Sequence, residues 1–311
     1  MWVKNTNRLG VALKVAIVFL AAFYIAWRLF HPQHSDFTVK EFLGDVEQHL
    51  FILTIVVFLM PLNWYLEAYK WKLIASTKFE ISTKEAIQGV LAGVTIGTAT
   101  PNRIGEFAGR IFMIKGDRME LLLLSFVASF CQVFVTLLVG ILSLVLMGMS
   151  YQHALFTSTE LYVLMAAGIV FCFLPLWIKF LPLRWKEKAK VISNFPRKKL
   201  AQAICISALR YLVYVGQFLL LLSMFPENFD SKIYFYLITI SYFIVTIIPT
   251  FSFTEVLVRG TVAGTIFGSY DERILPIAFM VAVLLWTINV AIPSLVGSVF
   301  VLKLKFFKSE N

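Results

Sequence analysis

Apolar residues run along the chain in long blocks separated by short polar stretches. The blocks are Val11 to Phe30, Leu50 to Tyr69, Glu120 to Met149, Leu161 to Leu181, Leu200 to Phe225, Ile233 to Ile248 and Ile274 to Leu302. The first is too long for the apolar part of a signal peptide and no A-x-A site follows it, so it is expected to remain as a span. Two further stretches, Glu85 to Thr100 and Phe251 to Gly268, are rich in Gly, Ala and Thr and are too short or too polar to read as ordinary spans. They predict one or two interrupted or re-entrant helices. At about 20 residues per crossing, the expected fold is all-α, a polytopic helical membrane protein with about eight transmembrane helices. Residues 1–311 then form one integral membrane domain.

Composition agrees with this pattern. Of 311 residues, 59% are hydrophobic and 15% charged, with a mean hydropathy of +0.81. Those values exclude an ordinary soluble domain, and 30 Phe, 11 Tyr and 7 Trp exclude a disordered chain. The net charge of +10 points to orientation and anionic lipid rather than to nucleic acid.

Lysine and arginine are concentrated in Leu66 to Lys84, Pro101 to Glu120 and Pro182 to Leu200, which are expected to be cytoplasmic. The loops His31 to His49, Met149 to Glu160 and Pro226 to Lys232 are poor in both and should face outward. This alternation works if Glu85 to Thr100 dips into the membrane and returns. If Phe251 to Gly268 crosses fully, both termini are cytoplasmic. The expected location is the cell inner (plasma) membrane. Trp64, Tyr65, Tyr69 and Trp71 read as interfacial anchors at a span end.

The candidate chemistry sits in the two weak stretches. Pro101 is followed by Glu106 and Arg110, and Pro249 by Glu255 and Arg259; in each pair the Arg lies four residues after the Glu. That spacing puts both side chains on one helix face, where they can pair. Thr100 and Pro101 are suited to open the first helix as N-cap and first residue. Broken helices in corresponding positions of two halves point to a transporter's central site. Their separation is consistent with a weak internal duplication of 1–150 and 151–311. Arg210 lies in the middle of an apolar block, where its insertion costs about 2.5–3.5 kcal/mol, so it should face a polar cavity or a carboxylate, with Glu106, Glu255 or a lipid phosphate as suitable partners.

The sequence holds no G-x-x-x-x-G-K-[ST], G-x-S-x-G, H-E-x-x-H or C-x-x-C pair. No nucleotide hydrolysis, catalytic residue, cofactor or metal is expected. His31, His34 and Asp36 read as a solvated loop cluster, and Cys131, Cys172 and Cys205 as packed thiols.

The segments Asn63 to Ile74 and Thr100 to Arg110 resemble the flippase-like transmembrane region associated with lysylphosphatidylglycerol synthases. The aromatic-basic segment of that family is matched here by Lys70-Trp71-Lys72-Leu73, and its P-x-R-x-G-E-x-x-R motif by Pro101, Arg103, Gly105, Glu106 and, one residue late, Arg110. A later Gly-rich family segment corresponds to Pro249 through Arg259, which lacks its glycines and has Glu before Arg. The resemblance implies a domain that moves polar-headed lipids, such as aminoacylated phosphatidylglycerol or isoprenoid-linked sugars, between leaflets. The chain ends at Asn311 soon after its last block, so it is not expected to aminoacylate lipid itself.

The expected function is therefore lipid translocation, passive or ion-coupled. Arg103, Arg110, Arg210 and Arg259 would bind phosphate, while Glu106 and Glu255 hold the arginines or accept a cationic headgroup. The expected partners are membrane lipids with anionic or phosphate-containing headgroups. Two alternatives stay open: a membrane-embedded lipid or glycan transferase using Glu106 as base, and an accessory scaffold docking such an enzyme through Pro182 to Leu200.

Overall fold

The computed structural model describes residues 39–100, 103–150, 195–225, 230–248, 250 and 252–302. The expected spans Val11 to Phe30 and Leu161 to Leu181, most of the basic loop Pro182 to Leu200, His31, His34, His153 and the C-terminal lysines lie outside these residues. Among the described residues every regular element is a helix. In chain order they are α1 (Val39–Gln48), α2 (Leu50–Ala75), α3 (Thr83–Thr98), α4 (Gly105–Phe112), α5 (Arg118–Ser150), α6 (Arg197–Leu222), α7 (Ser231–Ile247), α8 (Ser252–Tyr270), α9 (Leu275–Trp286) and α10 (Ile292–Val301). A 3-10 turn, Glu272–Ile274, leads into α9, and a π turn, Thr287–Ala291, joins α9 to α10.

Leu50–Ala75, Arg118–Gly148, Arg197–Leu222 and the composite Glu272–Val301 are each long and apolar enough to cross a membrane. The protein is membrane-embedded. Its outer faces carry large exposed apolar side chains such as Phe51, Phe58, Leu138 and Leu295, which suit contact with lipid chains.

Helices α3 and α4 form a hairpin whose arms run antiparallel. Gly105 packs on Ile96, Gly109 on Gly93, and Gly89 on Gly109 and Met113. A Cβ on Gly109 would fall onto the backbone of Gly93, so this crossing requires glycine. At about 1.5 Å per residue, the 16 residues of α3 reach roughly 24 Å, short of the ~30 Å hydrocarbon core. On its own α3 is therefore too short to cross. Helices α7 and α8 form a second hairpin, with Tyr234 near the start of α7 stacked edge-on, 5.5 Å from Phe267 near the end of α8.

Helix α10 holds the first hairpin to the bundle. Thr95 Oγ1 donates to the Ser294 carbonyl at 2.6 Å, Thr98 Oγ1 is 3.1 Å from Ser294 Oγ, and Gly297 lies against the backbone of Leu91. Two apolar clusters flank the interior. One surrounds Phe218, Leu237, Phe243 and Phe267, and the other Trp71, Ile74, Leu121 and Leu124.

Two local expectations change. Thr100 does not open α4 as its N-cap, because the helix begins at Gly105 after a turn at Arg103 and Ile104, and Pro101 lies outside the described residues. Thr100 still caps it from a distance, its Oγ1 accepting from Gly105 N–H at 2.8 Å. The aromatic cluster also divides. Tyr65 and Tyr69 are exposed, whereas Trp64 and Trp71 are buried, and α2 continues beyond Tyr69 to Ala75.

Candidate functional site

Polar side chains from several helices converge on a cavity of about 320 Å³. Its walls include Asn63 and Glu67 of α2, Arg103, Glu106 and Arg110 at the first hairpin, Gln132 of α5, Arg210 and Tyr211 of α6, Tyr242 of α7, Arg259 of α8 and Asn289 of the π turn. The structure thus brings Arg103, Glu106, Arg110, Arg210 and Arg259 to one cavity. Glu255 stands immediately behind, 3.3 Å from Arg103 Nη1.

Glu67 organises one end. Its carboxylate lies 2.7 Å from Lys70 Nζ, 2.8 Å from Arg110 Nη2 and 2.8 Å from Arg210 Nη1. Glu67, Lys70 and Arg110 are buried and Arg210 is partly exposed, so one carboxylate is shared by three cations, two of them away from water. Removing one member of a buried ion pair typically costs about 3–5 kcal/mol, because its partner is left as an unmatched charge. Arg210 sits midway along α6, and its Nε also donates to Asn63 Oδ1 at 2.9 Å. Its guanidinium lies 5.1 Å from the centre of the Trp64 ring, and that of Arg110 lies 5.9 Å from the centre of Trp71. Both buried tryptophans therefore also serve as cation-binding surfaces.

Glu255 organises the other end. Arg259 Nε and Nη2 each lie 2.9 Å from its Oε1, across one turn of α8, and Arg103 reaches the same oxygen from the first hairpin. Arg103 Nε also contacts Glu106 at 2.6 Å. Arg103 has φ of 55°, a left-handed conformation unusual for a residue with a side chain. Such a conformation costs on the order of 1–3 kcal/mol and persists where surrounding contacts hold it. Here the two glutamates do so. The Arg103–Glu255 contact ties the two hairpins together at their breaks.

The π turn supplies the last wall. Asn63 Nδ2 donates to Asn289 Oδ1 at 3.1 Å, and Trp64 Nε1 donates to the Asn289 carbonyl at 3.0 Å. A π turn shifts the backbone hydrogen-bond register and so leaves a carbonyl free for such a side-chain donor.

Glu67, Lys70, Asn63 and Asn289 were not among the sequence candidates. Their signal was present: Asn63, Glu67 and Lys70 recur at i, i+4 and i+7, one face of a helix. Neighbouring aromatics made the segment read as an interfacial helix end. No group of three or more possible metal ligands occurs among the described residues.

Compared with family models, curated proteins and solved structures, the chain matches none.

Proposed function

We propose that this protein is a lipid translocase that moves lipids with phosphate-containing headgroups between membrane leaflets. The observation that carries this reading is the arginine-rich cavity inside a bundle whose outer faces are apolar. Arg103, Arg110, Arg210 and Arg259 are suited to a phosphate, since guanidinium donors match its oxygens in charge and geometry. The broken hairpins give this polar site a place within the bilayer. In this reading the protein has about eight spans and lies in the plasma membrane, with both termini cytoplasmic and the first hairpin re-entrant from that side. Transport is passive or ion-coupled.

The transferase alternative requires a carboxylate free to take a proton. Glu67, Glu106 and Glu255 each hold an arginine within 2.9 Å, which favours binding over catalysis.

Reconstitution in vesicles with fluorescently labelled phosphatidic acid and, in parallel, labelled phosphatidylglycerol tests the proposal, using dithionite to bleach the outer-leaflet label. The wild-type protein should make inner-leaflet label accessible. Arg110→Ala should slow this by at least about tenfold in the protein that stays monodisperse on size exclusion, as expected for losing a charge-assisted contact. Equal rates for variant and wild type would remove Arg110 from the site, and no movement with wild-type protein would overturn the reading.

A further inference from the structure

The charges in the cavity specify more than an affinity for phosphate, and what they specify rests on the translocase reading. Four arginines, 103, 110, 210 and 259, line the cavity against two glutamates, 67 and 106. Behind this wall Lys70 contacts Glu67, and Glu255 contacts Arg103 and Arg259, so the second layer adds one charge of each sign. Every glutamate lies within 2.9 Å of an arginine nitrogen and Lys70 within 2.7 Å of a carboxylate, the contacts expected of ionised groups. Each cation of the set has a carboxylate contact, so the surplus of two arginines over glutamates in the wall is shared across the set.

Buried donors without partners belong to residues in the wall of the same cavity. Arg110 is buried, and its Nε and Nη1 have no hydrogen-bond partner among the described residues. The hydroxyls of Tyr211 and Tyr242, also cavity-lining, are buried and unpartnered in the same set. Guanidinium nitrogens only donate, and a tyrosine hydroxyl donates readily to an anionic oxygen. The complement to this arrangement is compact, rich in acceptors and doubly negative. Glu67 and Glu255 are each committed to more than one cation, which leaves neither to receive a cationic headgroup.

We propose that the cavity selects a dianionic phosphate group, a phosphomonoester or diphosphate terminus, over phosphodiester, zwitterionic or cationic headgroups. A phosphomonoester carries close to two negative charges at neutral pH. A phosphodiester such as phosphatidylglycerol carries one, phosphatidylcholine has no net charge, and a lysylated phosphatidylglycerol is net positive.

The test is native mass spectrometry of the full-length protein in detergent, with short-chain phosphatidic acid, phosphatidylglycerol and phosphatidylcholine competing at neutral pH. Phosphatidic acid should bind at least about tenfold more tightly than phosphatidylglycerol, a factor equivalent to 1.4 kcal/mol. Gln132→Glu adds one negative charge 3.5 Å from Arg210 without changing side-chain size, and should cut that preference to threefold or less. Arg110→Gln should act in the same direction. The Gln132 variant keeps the Glu67 cluster intact, so the test survives if the Arg110 variant does not fold. Equal binding of phosphatidic acid and phosphatidylglycerol would overturn the dianion assignment and leave lipid translocation standing. Inorganic phosphate competing as well as phosphatidic acid would support the dianion chemistry, assign the site to a free anion and overturn translocation. Binding of none of these ligands would overturn both.

Discussion

The two Pro–Glu–Arg stretches look alike in sequence and pair differently in space. In the second, Arg259 closes on Glu255 one helical turn away, at 2.9 Å. In the first, Arg110 stays 3.7 Å from Glu106 and instead makes a 2.8 Å contact with Glu67 on α2. Glu106 turns to Arg103, at 2.6 Å. Burial explains the difference: Arg110 is 3% exposed and sits beside a carboxylate equally removed from water, whereas Arg259 is 23% exposed. An i,i+4 pair contributes only about 0.2–0.5 kcal/mol on a helix surface. A desolvated partner from another helix overrides it easily.

The strongest way to break the contrast is Glu67→Gln. Lys70, Arg110 and Arg210 would lose their shared carboxylate, and the expected destabilisation is about 3–5 kcal/mol in thermal unfolding in detergent. A smaller effect at Glu67 than at Glu255 would show that the buried cluster is not the keystone of the site. Gly109→Ala comes next. The added methyl meets the Gly93 backbone, and forcing the hairpin arms apart should cost about 1–3 kcal/mol, with impaired lipid movement in vesicles.

Glu106→Gln sharpens the comparison. Alone it should cost about 0.5–1.5 kcal/mol, because Arg103 retains Glu255 and Arg110 retains Glu67. In the Glu67→Gln background it should cost more, since Arg110 then has Glu106 as its nearest carboxylate. A double-mutant cycle measures this, and additivity within about 0.5 kcal/mol would show that Arg110 does not choose between the two.

The smallest expected effect lies at the exposed foot of the first hairpin. Ser82 caps α3 by accepting from the Glu85 N–H, and the Glu85 carboxylate accepts from the Ser82 N–H, whereas the second hairpin is capped by Asp230. The Ser82 hydroxyl and backbone bonds hold the Glu85 pKa below the usual carboxylate range. A lowered folded-state pKa stabilises the protein above the unfolded value and loses that contribution as pH falls through the folded value. Ser82→Ala should therefore cost about 0.5–1 kcal/mol at neutral pH. It should also flatten the loss of stability below about pH 4, read from unfolding midpoints across an acid series.

How much of this was legible in the sequence follows from the same physics. Spans are written in contiguous residues, so Leu200 to Phe225 and Ile274 to Leu302 mark α6 and the composite last helix to within a few positions. Local ion pairs are written similarly, and Glu255 with Arg259 was readable from spacing alone. Arg210 stood out by its cost in an apolar block. Its carboxylate partner is Glu67 rather than the expected Glu106 or Glu255, because the packing of α2 against α6 brings Glu67 and Arg210 together. The π turn was equally hidden, since Thr287–Ala291 lies in an unbroken apolar run.

That turn makes the last helix a two-part lever. Its C-terminal part is clamped to the first hairpin through Ser294 and Gly297, while Phe279 and Leu275 in its N-terminal part pack against α8. Removing one residue from Thr287–Ala291 would rotate one part against the other by about 100°, the angle per residue of an α-helix. Ser294 and Gly297 would then swing off the first hairpin while α9 kept its hold on the second. The relative alignment of the two hairpins, and with it the contact of Arg103 and Glu255, is in that sense geared by a single surplus residue.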